Sequence, residues 1–489
     1  MSAIEIDNEV LRRIGALADD LKIEAYVVGG YLRDKLLGKE VNDIDIVVVG
    51  DGVLFARAVA KELGVKDVVV FEKFGTAMLP YNGGKIEFVA AREESYSTES
   101  RKPVVKKASL ASDLSRRDFT VNAIAASLNE ARYGEIIDEF HGIADLHHKL
   151  LRTPLDPKKT FDDDPLRMMR ALRFSAQLGF TIDPAALEAI AEMAERIQIV
   201  SRERITDEFL KILASPKPSV GLKLLQETGL SKYFLPELDE MVGVEQRKDY
   251  HHKDVFLHTL KVVDNICATT DNVWLRFAAF AHDIAKPKTK DFKDGIGWTF
   301  HGHEEMGARM MKSIFRRLKL PMDRLPYVEK LVRLHLRPMA LVSEEVTDSA
   351  VRRLLFDAGE EIDDLMLLCR ADITSQNPGR VTRFLSNYDF VMERMKEVEE
   401  KDQLRNWQPP VKGDEIMAVC GIGPSPLVGI LKTMIEDAVL DGQIPNEHDP
   451  ALAYLLSVKD EILRRYETEG EEFIRSAKKD RVVKYPDSV

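Results

Sequence analysis

Asp43 and Asp45 close the stretch VVGGYLRDKLLGKEVNDIDIVVVG (Val27 to Gly50) and stand one residue apart in an otherwise apolar run. On a strand they share a face, with Cα atoms roughly 6.6 Å apart. Two such carboxylates repel each other and lose hydration unless a cation sits between them. Mg2+, which takes carboxylate and phosphate oxygens, meets that demand. The pair Gly29 and Gly30 lets the backbone approach a triphosphate closely, and a helix beginning near Tyr31 offers it amide N–H groups. Arg33 can reach a phosphate, while Asp34 is better placed to hold the loop. Glu87, in KIEFVAA, is a candidate third carboxylate.

Two further stretches carry chemistry. In LSRRDFTVNAIAAS (Leu114 to Ser127), Arg117 and Asp118 supply a donor fork and an acceptor suited to a ribose hydroxyl, with Asn122 placed to orient them. FTVNAIA also reads as a buried helix. In FDDDPLRMMRALRFSAQLGF (Phe161 to Phe180), Asp162 or Asp163 caps a helix and Pro165 suits its first turn. Asp164 and Arg167 share a face by their spacing, and Arg170 and Arg173 continue it. A carboxylate accepts from an exocyclic amine, and a guanidinium donates to a ring nitrogen. Cytosine and adenine present an amino donor beside a ring acceptor, whereas guanine and uracil present a ring N–H beside a carbonyl. One Asp–Arg pair therefore accepts CTP and ATP and rejects GTP and UTP.

The second half carries a different set. His258 lies in DVFLHTLKVVD, His282 and Asp283 in FAAFAHDIAKP, and Asp372 in LCRADITSQNP. His303 and His335 can add ligands for a second metal. Imidazole with carboxylate suits a divalent transition metal such as Mn2+, Ni2+ or Fe2+, whose bound water can attack a phosphate ester.

The elements that must position these residues divide the 489-residue chain in two. Up to about Leu155 strands and helices mix. VLFARAVAKELG reads as an amphipathic helix ending at Gly64. Beyond Thr160 strand signals nearly vanish. The fold class is α+β, with an α/β head at 1–155, a helical neck at 156–245, a helical metal-binding domain at 246–380 and a helical tail at 381–489. The formal net charge of -12 argues against a protein that coats nucleic acid, yet RKPVVKKASLASDLSRRD (Arg101 to Asp118) is basic. No apolar run spans a bilayer, and the amphipathic, acidic N-terminus is not a signal peptide. The three cysteines, Cys267, Cys369 and Cys420, lack metal spacing and read as reduced core residues of a cytoplasmic protein.

The glycine pair followed by D-x-D resembles the nucleotidyltransferase superfamily, in which such a pair holds two metal ions. Together the motifs resemble the class II CCA-adding tRNA nucleotidyltransferases and the related bacterial poly(A) polymerases, over the whole chain and most strongly from Val27 to Glu208. The resemblance implies that Asp43 and Asp45 hold metal, that Arg117 and Asp118 select ribonucleotides, and that Asp164 and Arg167 template the incoming base. It implies that Arg204 and Glu208 brace the template helix, that the loop from Arg92 to Ser112 helps switch between C and A, and that IIDEFHGIADL is a hinge, with His141 replacing one of two glycines. The order H…HD…D resembles the HD phosphohydrolases. The implied activity is addition of CCA to the tRNA 3′ end from CTP and ATP, with HD hydrolysis serving end repair. The alternatives are poly(A) synthesis, addition of A alone or CC alone, and an HD hydrolase with a tRNA-binding head.

Overall fold

The computed structural model describes residues 3–41, 43–71, 75–81, 83–97, 100–107, 109–245, 254–295, 297–342, 347–375, 377–402, 409–474 and 476, with backbone alone for 92–107 and 401–402. Before residue 109, the side chains of the loop expected to switch between C and A therefore lie outside the described residues. The chain forms two compact units, Met1–Asp239 and Glu240–Val489.

The first unit opens with α1 (Glu9–Asp20), whose start is capped by Asn8, and continues through β1 (Glu24–Val28), α2 (Gly29–Leu36), β2 (Ile44–Val49), α3 (Gly52–Leu63), β3 (Val69–Phe71), β4 (Thr76–Tyr81) and β5 (Gly84–Ala90). Asp51 caps α3, and Gly64 ends it with a left-handed φ of 71°, as the sequence predicts. The hairpin β6 (Arg92–Ser97) and β7 (Ser100–Lys107), α4 (Leu110–Ser115), β8 (Ala125–Ser127), β9 (Ile136–Ile137) and α5 (Gly142–His148) complete the head. Its sheet runs β3-β4-β5-β2-β1-β8-β9, with β2 parallel to β5 and its other neighbours antiparallel. The β-branched run of β2 is central because α3 covers one face, where Phe55 meets Phe88 edge-on at 5.7 Å.

FTVNAIA is not a helix. It makes one 3-10 turn at Thr120–Asn122 and passes into β8, because Ala125 and Ala126 pair with the sheet. In the turn expected to act as a hinge, His141 takes the left-handed conformation with φ 60°, and Asp138 accepts from Gly142 N and Ile143 N. A left-handed non-glycine residue costs about 1 kcal/mol. His141→Gly is therefore expected to be neutral to slightly stabilising, which denaturant unfolding will measure.

β10 (Leu150–Leu151), α6 (Pro157–Asp163), α7 (Leu166–Leu178), β11 (Thr181–Ile182), α8 (Pro184–Glu192), α9 (Arg202–Leu213), α10 (Pro218–Glu227) and the turn α11 (Glu237–Glu240) follow.

The second unit is helical: α12 (Val255–Cys267), α13 (Val273–Ala281), α14 (Lys286–Thr289), a small hairpin β12 (Asp291–Lys293) and β13 (Gly297–Thr299), α15 (His303–Leu318), α16 (Leu325–Leu334), α17 (Arg337–Ala340), α18 (Asp348–Ala358), α19 (Ile362–Ala371) and α20 (Pro378–Asp402). The tail, α21 (Gly413–Cys420), α22 (Pro426–Leu440) and α23 (His448–Glu469), closes its own core on Ile416, Leu431, Ile435 and Leu455. No described helix is long and apolar enough to cross a membrane. All three cysteines are free thiols; Cys369 is buried, and Cys420, half-buried, packs against the tail core, whereas Cys267 is half-buried, so the core assignment is corrected to partial burial there.

Candidate active site and a buried histidine cluster

Asp45 lies on β2 opposite Val28, the last residue of β1, so the turn into α2 passes directly over it. Gly29 makes that turn at φ 68°, and a Cβ there would come within 3.0 Å of Arg117 Nη1 and 3.2 Å of Asp45 Oδ2. Only glycine fits both the backbone angle and the space. Gly30 has room to spare, its nearest neighbour being Arg33 Nη2 at 3.7 Å. The helix starts at Gly29, two residues earlier than the sequence suggests, and brings its first amides beside the carboxylate.

Asp43 stands exposed one residue before the strand, and its carboxylate accepts from Lys85 N at 3.2 Å. Asp45 is half-buried. Burial holds its carboxyl above the ordinary aspartate range, against the pull of Arg117 and Lys85 and with Asp43 adding to the rise. A carboxylate desolvated beyond what nearby cations offset is suited to a bound divalent ion. Glu87 is the register partner of Asp45 on parallel β5, so the two share one face of the sheet.

Arg33 does not face a phosphate. It is 5% exposed, and its three nitrogens donate to Asn122 Oδ1 at 2.7 Å and to Asp34 at 2.9 and 2.6 Å. Its contribution is to hold Asn122, whose Nδ2 donates to Asp118 Oδ1 at 2.9 Å. Burial would raise the Asp118 carboxyl, but Arg170, at 2.8 Å through Nε, and Asn122 bring it down to about 2. Asp118 is thus a permanent anion whose oxygens are already engaged within the protein.

Arg117 and Arg116 are fixed by a residue the sequence reading passed over. Asp113 is fully buried; its Oδ2 accepts from Arg117 Nε and Nη2 at 3.3 and 3.1 Å, and its Oδ1 accepts from Arg116. The signal was present in the spacing, since a helical Asp followed at i+3 and i+4 by arginines brings all three together. Arg116 in turn offers its carbonyl to Arg167 Nη2 at 2.6 Å. Asp113→Ala is expected to lower kcat/KM for nucleotide addition about 10- to 100-fold by freeing Arg117, on the scale of a lost charged hydrogen-bond pair. Steady-state kinetics with thermal unfolding as a control will check this.

Helix α7 is capped differently from the expected arrangement. Asp162 and Asp163 end α6, and Asp164 itself, in extended backbone between α6 and α7, accepts from Leu166 N at 3.1 Å. Its Oδ2 faces Arg204 at 3.9 Å. Arg167 also donates to Thr160 O at 3.2 Å. Arg173 pairs with Glu208 at 2.5 Å, and the guanidinium carbons of Arg33, Arg170 and Arg173 lie 5.1, 5.3 and 3.9 Å from the Phe174 ring. Glu208 is 3% exposed, so Arg173→Met leaves a buried carboxylate short of its main partner. The expected loss is about 3 kcal/mol in denaturant unfolding.

In the second unit every expected ligand sits within or beside a helix terminus. His258 is on α12, His282 and Asp283 follow α13, His303 opens α15, His335 follows α16 and Asp372 follows α19. Two triads form, His258–His282–Asp372 and Asp283–His303–His335, the donor atoms of each within 4.8 Å of one another. Asp283 stands between them: Oδ2 is 3.3 Å from His282 Nε2, and Oδ1 is 3.3 Å from His303 Nε2. The Nδ1 atoms of His282, His303 and His335 face the carbonyls of Ala279, Phe300 and Val332 at 2.7, 2.8 and 2.7 Å. A carbonyl only accepts, so each ring donates through Nδ1 and points Nε2 inward. The inward atoms His282 Nε2 and Asp283 Oδ1 are buried without a hydrogen bond, and the Nε2 atoms of His303 and His335 face each other at 3.3 Å. Burial works against a proton on His282, yet Asp283 and Asp372 hold it up to about 10, while burial, with His303 and His282 nearby, pushes His335 down to about 3. The cluster therefore gathers carboxylate and imidazole donors around buried inward atoms that lack a hydrogen bond, the kind of donor set divalent transition-metal ions take.

The comparisons with known proteins follow the same division. The poly A polymerase head domain matches residues 25–152, a probable RNA- and SrmB-binding site of polymerase A matches 179–242, and an HD domain matches 255–376. A multifunctional CCA protein of Xanthomonas campestris pv. campestris is 35% identical over 72% of this chain and 85% of its own length. An A-adding tRNA nucleotidyltransferase of Deinococcus radiodurans is 32% identical over 85% of this chain and 92% of its own. The crystal structure of the Bacillus stearothermophilus CCA-adding enzyme in complex with CTP superposes with a TM-score of 0.65, at 25% identity, over 94% of this chain and all of that one. The chain belongs to the family of CCA-adding and A-adding tRNA nucleotidyltransferases.

Proposed function

We propose that the chain adds C, C and A to the 3′ end of tRNA from CTP and ATP, and that its histidine cluster hydrolyses phosphate esters left on RNA ends that need repair. The observation that carries the first part is a run of neighbours: Asp45 and Arg117 both flank the Gly29 turn, Asp113 accepts from Arg117 and Arg116, and Arg116 offers its carbonyl to Arg167. It ties the carboxylate of the sheet to the base-reading helix inside one unit.

Asp43 and Asp45, with Glu87 beside them, are the residues that would hold Mg2+, which when bound supplies charge neutralisation for phosphoryl transfer. The Gly29 turn lets a triphosphate approach the backbone, and Arg117, held by Asp113 and the Asn122 carbonyl, places positive charge beside it. Asp118, held ionised by Arg170 and Asn122, fixes the floor of the ribose side. Asp164 and Arg167 read the pairing edge, with Arg204 and Glu208 steadying the helix that carries them. Asp164→Ala is expected to narrow the preference for CTP and ATP over GTP and UTP about 10- to 100-fold, the worth of a charged hydrogen bond. Competition assays with paired nucleotides will measure it.

In the second unit His258, His282, Asp283, His303, His335 and Asp372 would hold Mn2+, Ni2+ or Fe2+, which when bound supplies an activated water for ester hydrolysis. Lys286, 2.7 Å from Asp283 Oδ2, keeps that carboxylate oriented.

A second reading, addition of A alone, is favoured by the extent of the Deinococcus radiodurans relative, which aligns with 85% of this chain. Transcripts ending before CCA and after CC, given CTP and ATP separately and together, separate the two. Three added nucleotides followed by a stop supports CCA addition. A single A on the CC-ended transcript with no C on the shorter one supports the second reading.

A further inference from the structure

We propose that the strand pair β12 and β13 is a base-stacking platform that presents the terminal nucleotide of an RNA to the histidine cluster. The proposal rests on the reading of that cluster as a phosphoesterase and adds what recognises its substrate.

Both feet of the hairpin stand on the cluster. On one side Lys286 donates to the ligand Asp283 at 2.7 Å, and α14 leads from Lys286 into β12. On the other, β13 ends at Thr299, and the carbonyl of the next residue, Phe300, takes the Nδ1–H of the ligand His303 at 2.8 Å. Lys286 Nζ lies 5.7 Å from the Phe300 ring, so the two feet meet. Asp291 pairs with Thr299 at the base, and the next rung is Phe292 with Trp298.

That rung is aromatic on both strands, its rings edge-on at 5.1 Å, and Phe292 is 44% exposed. Lys290 Nζ lies 4.2 Å over the Trp298 ring. Lys288 and Lys293 are exposed, and the run KPKTKDFK from Lys286 to Lys293 carries four lysines against one aspartate in a chain of net charge -12. An exposed Phe292 ring backed edge-on by half-buried Trp298, among lysines one rung above a phosphoesterase cluster, matches a nucleotide: the base stacks on Phe292 and the lysines follow the phosphates. A protein partner would find a single exposed ring in a basic surface, with nothing to fill the cluster beneath it.

In the reaction served, the oxygen of water bonds to phosphorus, one P–O ester bond breaks, and the departing oxygen takes the water proton to leave a monoester. The test uses the full chain with Mn2+ or Ni2+ and two cyclic diesters, adenosine 2′,3′-cyclic phosphate and the base-free glycerol 1,2-cyclic phosphate. The readout is the ratio of kcat/KM for the first to that for the second. Phe292→Ala is expected to lower the ratio about 10-fold or more, since stacking on an aromatic contributes about 1–3 kcal/mol per base, and Phe292→Tyr is expected to restore it. An unchanged ratio in Phe292→Ala overturns the proposal while leaving the phosphoesterase reading intact. Hydrolysis of neither ester by the unaltered chain overturns both.

Discussion

Asp45→Ala abolishes nucleotide addition, with kcat down at least about 1000-fold, as expected when a ligand of a phosphoryl-transfer metal site is lost. The same change leaves the fold as stable as before, or more so. Burial holds the Asp45 carboxyl above its ordinary range, so it binds its proton more tightly folded than unfolded. Its ionised form therefore weakens the fold at pH values above the folded pKa, and removing it relieves that strain. Neighbouring β-strands keep their ladder, because the backbone pairings of Asp45 with Val28 and Glu87 do not need its side chain. Single-turnover kinetics and thermal unfolding on one preparation test both halves. Normal addition would reject the metal assignment, and a large drop in Tm would mean that Asp45 is structural.

Asp283→Ala empties the histidine cluster of metal and ends ester hydrolysis, while addition to tRNA continues through residues of the other unit. Asp283 faces both triads and is 1% exposed, so no other side chain takes its place. Its loss leaves Lys286 beside several buried imidazoles without its acid, and is expected to cost about 3 kcal/mol of stability. Metal content after dialysis, measured by mass spectrometry, falls to background. Added Mn2+ stabilises the unaltered chain by about 2.7 kcal/mol at 100-fold excess over Kd, read as a higher Tm, and does not raise the Tm of the variant.

The groupings of candidate residues were legible in the sequence because the chemistry they suggest imposes short spacings. D-x-D, the glycine pair and the Asp–Arg pair each span only a few residues, and the candidate histidine ligands fall at helix ends, which periodicity marks. What escaped depended on contacts across the chain. Arg33 reads as a phosphate ligand until Asn122, 89 residues away, is seen to occupy its guanidinium. Asp113 reads as part of a basic loop until the fold encloses it. FTVNAIA has helical composition, but pairing with β1 drew Ala125 and Ala126 into the sheet, where tertiary context outweighs propensity. The capping of α7 was misplaced by one or two residues because three consecutive aspartates are equally good caps, and the break between α6 and α7 chose Asp164.

The most direct measurement of the central claim is transfer of labelled AMP from ATP, with Mg2+, to tRNA ending in CC, by the unaltered chain and by Asp45→Ala. One A per tRNA from the unaltered chain and none from the variant is the predicted result. Equal labelling by both, a run of A residues on each tRNA, or no labelling by the unaltered chain would contradict it.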